Sequence, residues 1–380
     1  MTCTKTANMN SKSKMIFYSF GIFFFIISCN NTDQTPADNT ATESTVKTNT
    51  LRYAPEIHLK NLRQLTFGGD NAEAYFSFDD QQLVFQANNP AWGTECDQIY
   101  VMPLTGTEQR TVPMLSTGKG RTTCSFFLPG NQEILYASTH LGGEACPETP
   151  RVVDGKYVWP VYNTFDIFVA DLKGNIKRQL TDSPGYDAEA TISPDGKKIV
   201  FTSNRTGDLE LFTMDLDGSN LRQITSGLGY DGGAFFSPDS KELIFRASRP
   251  KTQEEIDTYQ SLLRQGLVQP SSMELFICNA EDGSNLRQLT HLGKANWAPY
   301  FHPSGNKVIF ASNHHQPSGR AFNLFMINTD GTGLEQITFD ETFDAFPMFS
   351  YDGKKLVFSS NRFNGGDRST NVFLADWVEE

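Results

Sequence analysis

The sequence predicts an all-β fold, a six-bladed β-propeller built from four-stranded blades, and three observations carry that prediction. A strand–turn–strand phrase recurs six times at roughly 45-residue spacing, within the range of propeller blades. The 380 residues include 30 Phe and 12 Tyr, with Gly and Pro spread through the chain after residue 60, a composition suited to short strands and tight turns. The six residues "NLRQLT" stand at Asn61–Thr66 and again at Asn285–Thr290, with "NLRQIT" at Asn220–Thr225, so one copy precedes every blade it could follow.

The clearest phrases are "DAEATISPDGKKIVFTSNR" from Asp187, "DGGAFFSPDSKELIFRASR" from Asp231, "NWAPYFHPSGNKVIFASNH" from Asn296 and "DAFPMFSYDGKKLVFSSNR" from Asp344. Two weaker copies start at Asn71 and Thr122. In each, alternating apolar residues flank a Pro/Asp/Gly turn, the pattern of a hairpin. A third strand follows, as in "LELFTMDLDG" from Leu209, and the "LRQLT" phrase supplies a fourth. The last copy ends at "TNVFLADWVEE" with no fourth strand after it. Leu62–Thr66 is therefore expected to pair with Val372–Trp377 and close the ring, which leaves no open edge in the last blade. The position occupied by Phe76, Phe127, Ile192, Phe236, Phe301 and Phe349 is large and apolar in every copy and is expected in the core.

Ahead of the repeats, Lys12 and Lys14 lead into the apolar run Met15–Ile27, which ends in "IISC" at Ile26–Cys29. A basic n-region, a short apolar stretch and small residues before a cysteine form a secretory pattern, and the apolar run is too short to span a bilayer. It resembles a bacterial lipoprotein signal peptide, which implies that residues 1–28 are removed and Cys29 is lipidated. The expected organisation is then signal peptide 1–28, a polar tether 29–55 and a propeller 56–380. The tether holds almost no large apolar residue and cannot bury enough surface to order itself; some twenty flexible residues reach about 25 Å. Loss of residues 1–28 removes Lys5, Lys12 and Lys14 and no acid, so the formal charge of −12 becomes −15, which argues against nucleic acid as a partner.

The "SPDG…F.S.R" and "RQLT" phrases from Leu62 onward resemble the TolB propeller repeats, and more loosely the propellers of tricorn protease and prolyl oligopeptidases. The resemblance implies a propeller that acts by interaction. TolB carries an α/β domain ahead of its propeller, for which the tether leaves no room. No G-x-S-x-G run offers a nucleophile elbow, and no peptidase domain follows the repeats.

Aligning the copies places the starts of the first strands and the ends of the second strands at one mouth of the channel. The starts are Asn71, Thr122, Asp187, Asp231, Asn296 and Asp344; the ends are Asn89, His140, Arg205, Arg249, His314 and Arg362. Two readings stay open: a polar ring that binds a carboxylate or peptide terminus, or pairs that latch the blade ends together. Three insertions follow second strands at this mouth, in blades 1, 2 and 4. The last has Thr252 and Glu255 at capping-box spacing, Ile256, Tyr259 and Leu263 on one face and Gly266 as a stop, which predicts a short helix over the mouth. Trp92, Trp159 and Trp297 are expected to cluster there.

In an exported chain, Cys96 and Cys146 are the preferred disulfide pair, with Cys124 able to replace either and Cys278 buried as a thiol. His140, His291, His314 and His315 share the mouth, but no paired motif makes them a metal site, and no cofactor is expected. The functional expectation is a monomeric, lipid-anchored module of the bacterial cell envelope, periplasmic or outer-membrane associated, that binds a protein or peptide without catalysis. The rival is a metal-dependent lyase or hydrolase for a small acidic or sugar substrate, working at the mouth with His140, His314 and the Asp ring.

Overall fold

The computed structural model describes residues 51–107, 112–319, 321–367 and 369–379. The segment expected to be a signal peptide, and Cys29, lie outside these residues.

Six antiparallel sheets follow one another along the chain. Blade 1 is three-stranded, with Asp70–Phe76 innermost, then Gln82–Asn88 and Gln98–Pro103, while Met114 adds an isolated bridge to Tyr100. Blades 2 to 5 each have four strands, and their first strands are Thr122–Phe127, Asp187–Ile192, Asp231–Phe236 and Asn296–Phe301. Blade 6 runs Asp344–Phe349, Lys355–Ser360, Asn371–Trp377, and its outer strand is Leu59–Gln64 from the front of the chain.

The early "NLRQLT" is thus a clasp that starts a little sooner than its sequence phrase. Leu59 pairs with Trp377 and Gln64 with Phe373, and the Leu65 N–H donates to the Val372 carbonyl at 2.7 Å. A register shift between Lys60 and Arg63, with Asn61 at φ 50°, bends the strand onto its partner. Residues 51–55, assigned to the tether from sequence, instead lie on blade 6. Tyr53 stacks on Phe363 with 5.1 Å between ring centroids and donates to Asp340 at 2.6 Å. Closure therefore pairs the two ends of the propeller by backbone bonds and by side chains.

The core is a continuous stack of inner- and middle-strand residues. Phe76, Phe127, Ile192, Phe236, Phe301 and Phe349 are all buried, as the repeat required. At the turn-lined mouth, Ser193, Ser237 and Ser350 each donate to an Asp two residues on, Asp195, Asp239 and Asp352, at 2.7 Å. The same oxygens accept from backbone N–H groups of the turn, which fixes the hairpins without burying charge. Among the described residues, no helix is long and apolar enough to cross a membrane.

Candidate functional site

The residues expected to ring the mouth are latches. Arg205 donates to both carboxylate oxygens of Asp187 at 2.9 Å and to Ser203 at 2.8 Å. Arg249 forks onto Asp231. Arg362 is fully buried and donates to Asp344 at 2.9 Å and to Glu56 at 3.0 and 3.1 Å. Where blade 5 has a histidine, His314 bonds Ser312 at 2.8 Å, and Ser312 donates to Asn296 at 2.7 Å. His140 bonds Ser138 at 2.9 Å in blade 2. In blade 1, Asn71 and Asn89 both donate to the Gly68 carbonyl. Most of these side chains bond one another or nearby backbone, while Asn71 Oδ1 and Asp344 Oδ1 are buried without a hydrogen-bond partner.

The histidines do not converge. His314 and His315 are neighbours on Phe325, His140 packs on Phe168 in blade 2, and His291 is exposed. Among the described residues, no three His, Cys, Asp or Glu side chains are grouped so as to hold a metal ion. The disulfide is also corrected. Cys96 and Cys146 are neighbours, but both are free thiols: Cys96 donates to the Gly120 carbonyl at 3.0 Å, and Cys146 contacts the Arg121 guanidinium at 3.6 Å. Burial pushes the Cys96 thiol up to about 12. Cys278 is a buried free thiol.

What the structure brings together lies one step deeper in the channel. The residue two positions past Asn71, Thr122, Asp187, Asp231, Asn296 and Asp344 sits in the left-handed backbone region in every blade: Glu73 (φ 53°), Cys124 (45°), Glu189 (60°), Gly233 (59°), Ala298 (47°) and Phe346 (54°). In all six blades the register to the second strand shifts at this place. A bulge bends the strand and re-aims a side chain, and a positive φ costs on the order of 1 kcal/mol or more at each non-glycine position. The six bulges turn a ring of side chains into the channel, where they line a cavity of about 400 Å³.

This ring has two chemically different halves. Blades 1 to 3 contribute Glu73, Cys124 and Glu189, while blades 5 and 6 contribute Ala298 and Phe346. Blade 4 has Gly233, and a Cβ there would run into the Arg246 guanidinium, which occupies the space. Arg246 donates to Glu189 at 3.0 Å and to the Tyr230 hydroxyl at 2.6 Å. Glu189 also accepts from the Tyr186 hydroxyl at 3.0 Å, from the Tyr230 hydroxyl and from the Gly233 N–H at 2.5 Å. Burial and the Glu189 charge hold both tyrosines well above their ordinary range, so they remain donors. Arg121 and Asp97 form a second ion pair on the lining.

Glu73 stands apart from both pairs. Its Oε2 is enclosed and has no hydrogen-bond partner, and burial raises its carboxyl to about 7, against a weaker downward pull from the Cys124 thiol. Burial, and then the Glu73 charge, hold the Cys124 thiol well above the usual thiol range, which favours its protonated form.

Two insertions roof the cavity. Trp159–Pro160 from blade 2 pairs antiparallel with Leu267–Val268 from blade 4. The predicted helix is Gln253–Arg264, with Thr252 as N-cap and Glu255 closing the capping box. It buries Tyr259 and Leu262, and Leu262 packs with Val158 and Leu267 beneath the roof. Trp159 lies over Arg246 at 5.4 Å and meets Trp297 at 4.9 Å between ring centroids. Trp92 does not join them and packs against Phe85 and Tyr100 within blade 1. Of the residues proposed from sequence, Thr122, Cys124, Trp159 and Trp297 line the cavity. Glu73, Glu189 and Arg246 were missed, although one signal was present. The third repeat position is where residue type diverges most, and Arg246 is the charged member of a column otherwise reading Gln86, Ala137, Thr202, Ala311 and Ser359.

A family model for the TolB beta propeller domain matches residues 160–262. Among solved structures, the chain is similar to TolB from Acinetobacter baumannii, with 19% identity, a TM-score of 0.54 and coverage of 80% of this chain and 65% of that one. It is similar as well to a protein described as a TolB from Agrobacterium tumefaciens, with 17% identity, a TM-score of 0.52 and coverage of 84% and 97%. A weaker likeness to an oligogalacturonate lyase from Vibrio parahaemolyticus, with 11% identity and a TM-score of 0.47 over 84% of this chain and 94% of that one, carries no argument. No curated protein sequence matches the chain. The repeats, the clasped ring of six blades and these matches agree that the chain folds as a TolB-like β-propeller.

Proposed function

We propose that the chain is a non-catalytic binding propeller of the cell envelope that holds a protein or peptide partner at the insertion-bearing mouth, with part of the partner entering the roofed cavity. The observation that carries this reading is the cavity itself. At about 400 Å³ it has the size of a small-ligand or side-chain pocket, with Trp159, Trp297, Phe346 and Tyr230 beside a few convergent polar groups. Aromatic anchors in an enclosed pocket supply most of the affinity in protein recognition. The TolB-like fold supports an interaction role by analogy only. Anchoring through Cys29 is part of the same proposal and places the partner within tether reach of a membrane.

The test is a pull-down from envelope extract with the full chain. Trp159→Ala, and deletion of the 253–264 helix, are expected to release partners that the wild type retains. Asp195→Ala and Asp352→Ala at the opposite turns are expected to keep them. Equal loss at both mouths, in variants that melt as cooperatively as the wild type, places the binding surface elsewhere.

A further inference from the structure

We propose that the channel cavity recognises a protonated primary amine, set against Glu73, with the adjoining apolar group against the aromatic half of the cavity. The inference rests on the reading of the mouth as a binding surface and adds the chemistry of what enters it. Three observations carry it.

The first is charge. Each cation on the lining already has an acid: Arg246 pairs with Glu189 and Arg121 with Asp97. Glu73 has none, and its Oε2 is enclosed without a partner. The ionised cavity is therefore complementary to one positive charge. Lone buried carboxylates are costly, and a cationic partner recovers that cost.

The second is the opposite wall. Phe346 from blade 6 and Ala298 from blade 5 face the channel through the same bulge that presents Glu73, while Trp159 and Trp297 meet above it. Aromatic faces attract cations and cover an apolar stem. The third is size. A volume of about 400 Å³ exceeds what a bare metal ion needs and admits an amine with one side chain attached. A peptide amino terminus beginning with a large apolar residue meets all three conditions, as does a small free arylalkylamine.

The groups facing Glu73 are Cys124, Glu189, Arg246, Asp97 and Tyr75. With its carboxyl raised to about 7, Glu73 is mostly protonated at pH 6, and an arriving ammonium stabilises the ionised form. Binding at pH 6 should then release roughly one proton, whereas at pH 8 Glu73 releases almost none and a peptide amino group, ordinarily titrating near 8, takes up about half a proton as it binds in the ammonium form.

The experiment titrates the full chain with phenylalanyl-glycyl-glycine amide, its N-acetylated form, phenethylamine and 2-phenylethanol. It follows tryptophan fluorescence and calorimetric heats in two buffers of different ionisation enthalpy. Wild type is expected to bind the free-amino peptide at least tenfold more tightly than the acetylated one. Glu73→Gln is expected to remove that preference and the proton release together. Tight binding of phenethylamine with no binding of the peptide also supports the amine site and identifies the source as a small free amine. Equal affinity for charged and neutral members of either pair, or an unchanged preference in Glu73→Gln, overturns the inference. So does the absence of binding by all four probes. If the pull-down still shows Trp159-dependent retention of a partner that Glu73→Gln leaves intact, the amine inference fails while the reading of the mouth stands.

Discussion

Two rings circle the same end of the channel, and the same repeat builds both. The latch ring joins the first residue of each inner strand to the end of the second strand, and the bulge ring sits two residues further along. In three blades the latch repeats as an acid–arginine pair, Asp187 with Arg205, Asp231 with Arg249 and Asp344 with Arg362, while blade 5 joins Asn296 to His314 through Ser312 and blades 1 and 2 use neutral side chains bonded to backbone or serine oxygens. The bulges keep their backbone and change their chemistry, from Glu73 through Gly233 to Phe346. Repetition of side chains marks what holds the blades, and repetition of backbone with free side chains marks what the fold leaves available for recognition. A polar ring at a channel mouth is therefore a weak indicator of a ligand site when its members are spaced to satisfy one another.

The comparison is broken most severely at the blade that closes the ring. Arg362 neutralises two buried carboxylates, Glu56 and Asp344, and burial pushes Glu56 upward against the pull of that arginine. Arg362→Ala strands both acids and unties the residues ahead of the clasp. The expected loss is about 3–5 kcal/mol, the range for removing one partner of a buried ion pair. Chemical denaturation of the two proteins checks it. A loss below about 1 kcal/mol would show that the clasp closes the ring by backbone pairing alone.

The bulge ring should respond in the opposite direction. Burial raises the Glu73 carboxyl from 4.5 to about 7, so the folded protein holds this proton more tightly than the unfolded chain does. Stability owed to this group is therefore present below about pH 4.5 and lost as pH rises through about 7. Glu73→Gln removes the titration. It is expected to match the wild type near pH 4 and to exceed it by roughly 3 kcal/mol at pH 8, from the rise of the carboxyl to about 7. Parallel denaturation curves at pH 5 and pH 8 read the difference, and a variant no more stable than the wild type at pH 8 would show that Glu73 is solvated rather than stranded.

The split between the rings also explains what was legible in the sequence. Fold, blade count and clasp were readable because hairpins, apolar columns and the "RQLT" phrase are local patterns that recur. The helix was readable through Thr252 and Glu255, a capping signal four residues long. The cavity was not, because a bulge is a backbone event and its residues, from glutamate to glycine to phenylalanine, follow no common type. The roof was hidden for another reason: Trp159–Pro160 and Leu267–Val268 are two-residue strands from different blades, too short to show a period. The mouth ring admits both a latch and a ligand reading from sequence, because residue types alone do not say which side chains bond one another. Cys96 and Cys146 were rightly placed in adjoining loops, but the Cys96 thiol is engaged by the Gly120 carbonyl and does not pair.

The smallest expected effect gives the sharpest division between the rings, because it uses two arginines on one strand. Arg246 and Arg249 both belong to the end of the second strand of blade 4, yet Arg246 lines the cavity while Arg249 forks onto Asp231. The Arg249 side chain is 28% exposed, against 2% for its aspartate, so water screens part of the pair. Its guanidinium also covers the Phe276 ring at 5.0 Å. Arg249→Ala is expected to cost about 1–2 kcal/mol, mostly for leaving Asp231 buried with fewer donors. Affinity for the free-amino peptide should stay within twofold of wild type, measured well below the melting transition. Arg249→Lys, which keeps the charge and loses the fork, should recover part of the stability and change binding no further. If Arg249→Ala instead weakens the peptide tenfold while the protein remains folded, the two rings are not separate. The latch would then belong to the recognition surface, and the rule that repeated side chains serve only the fold would fail for this propeller.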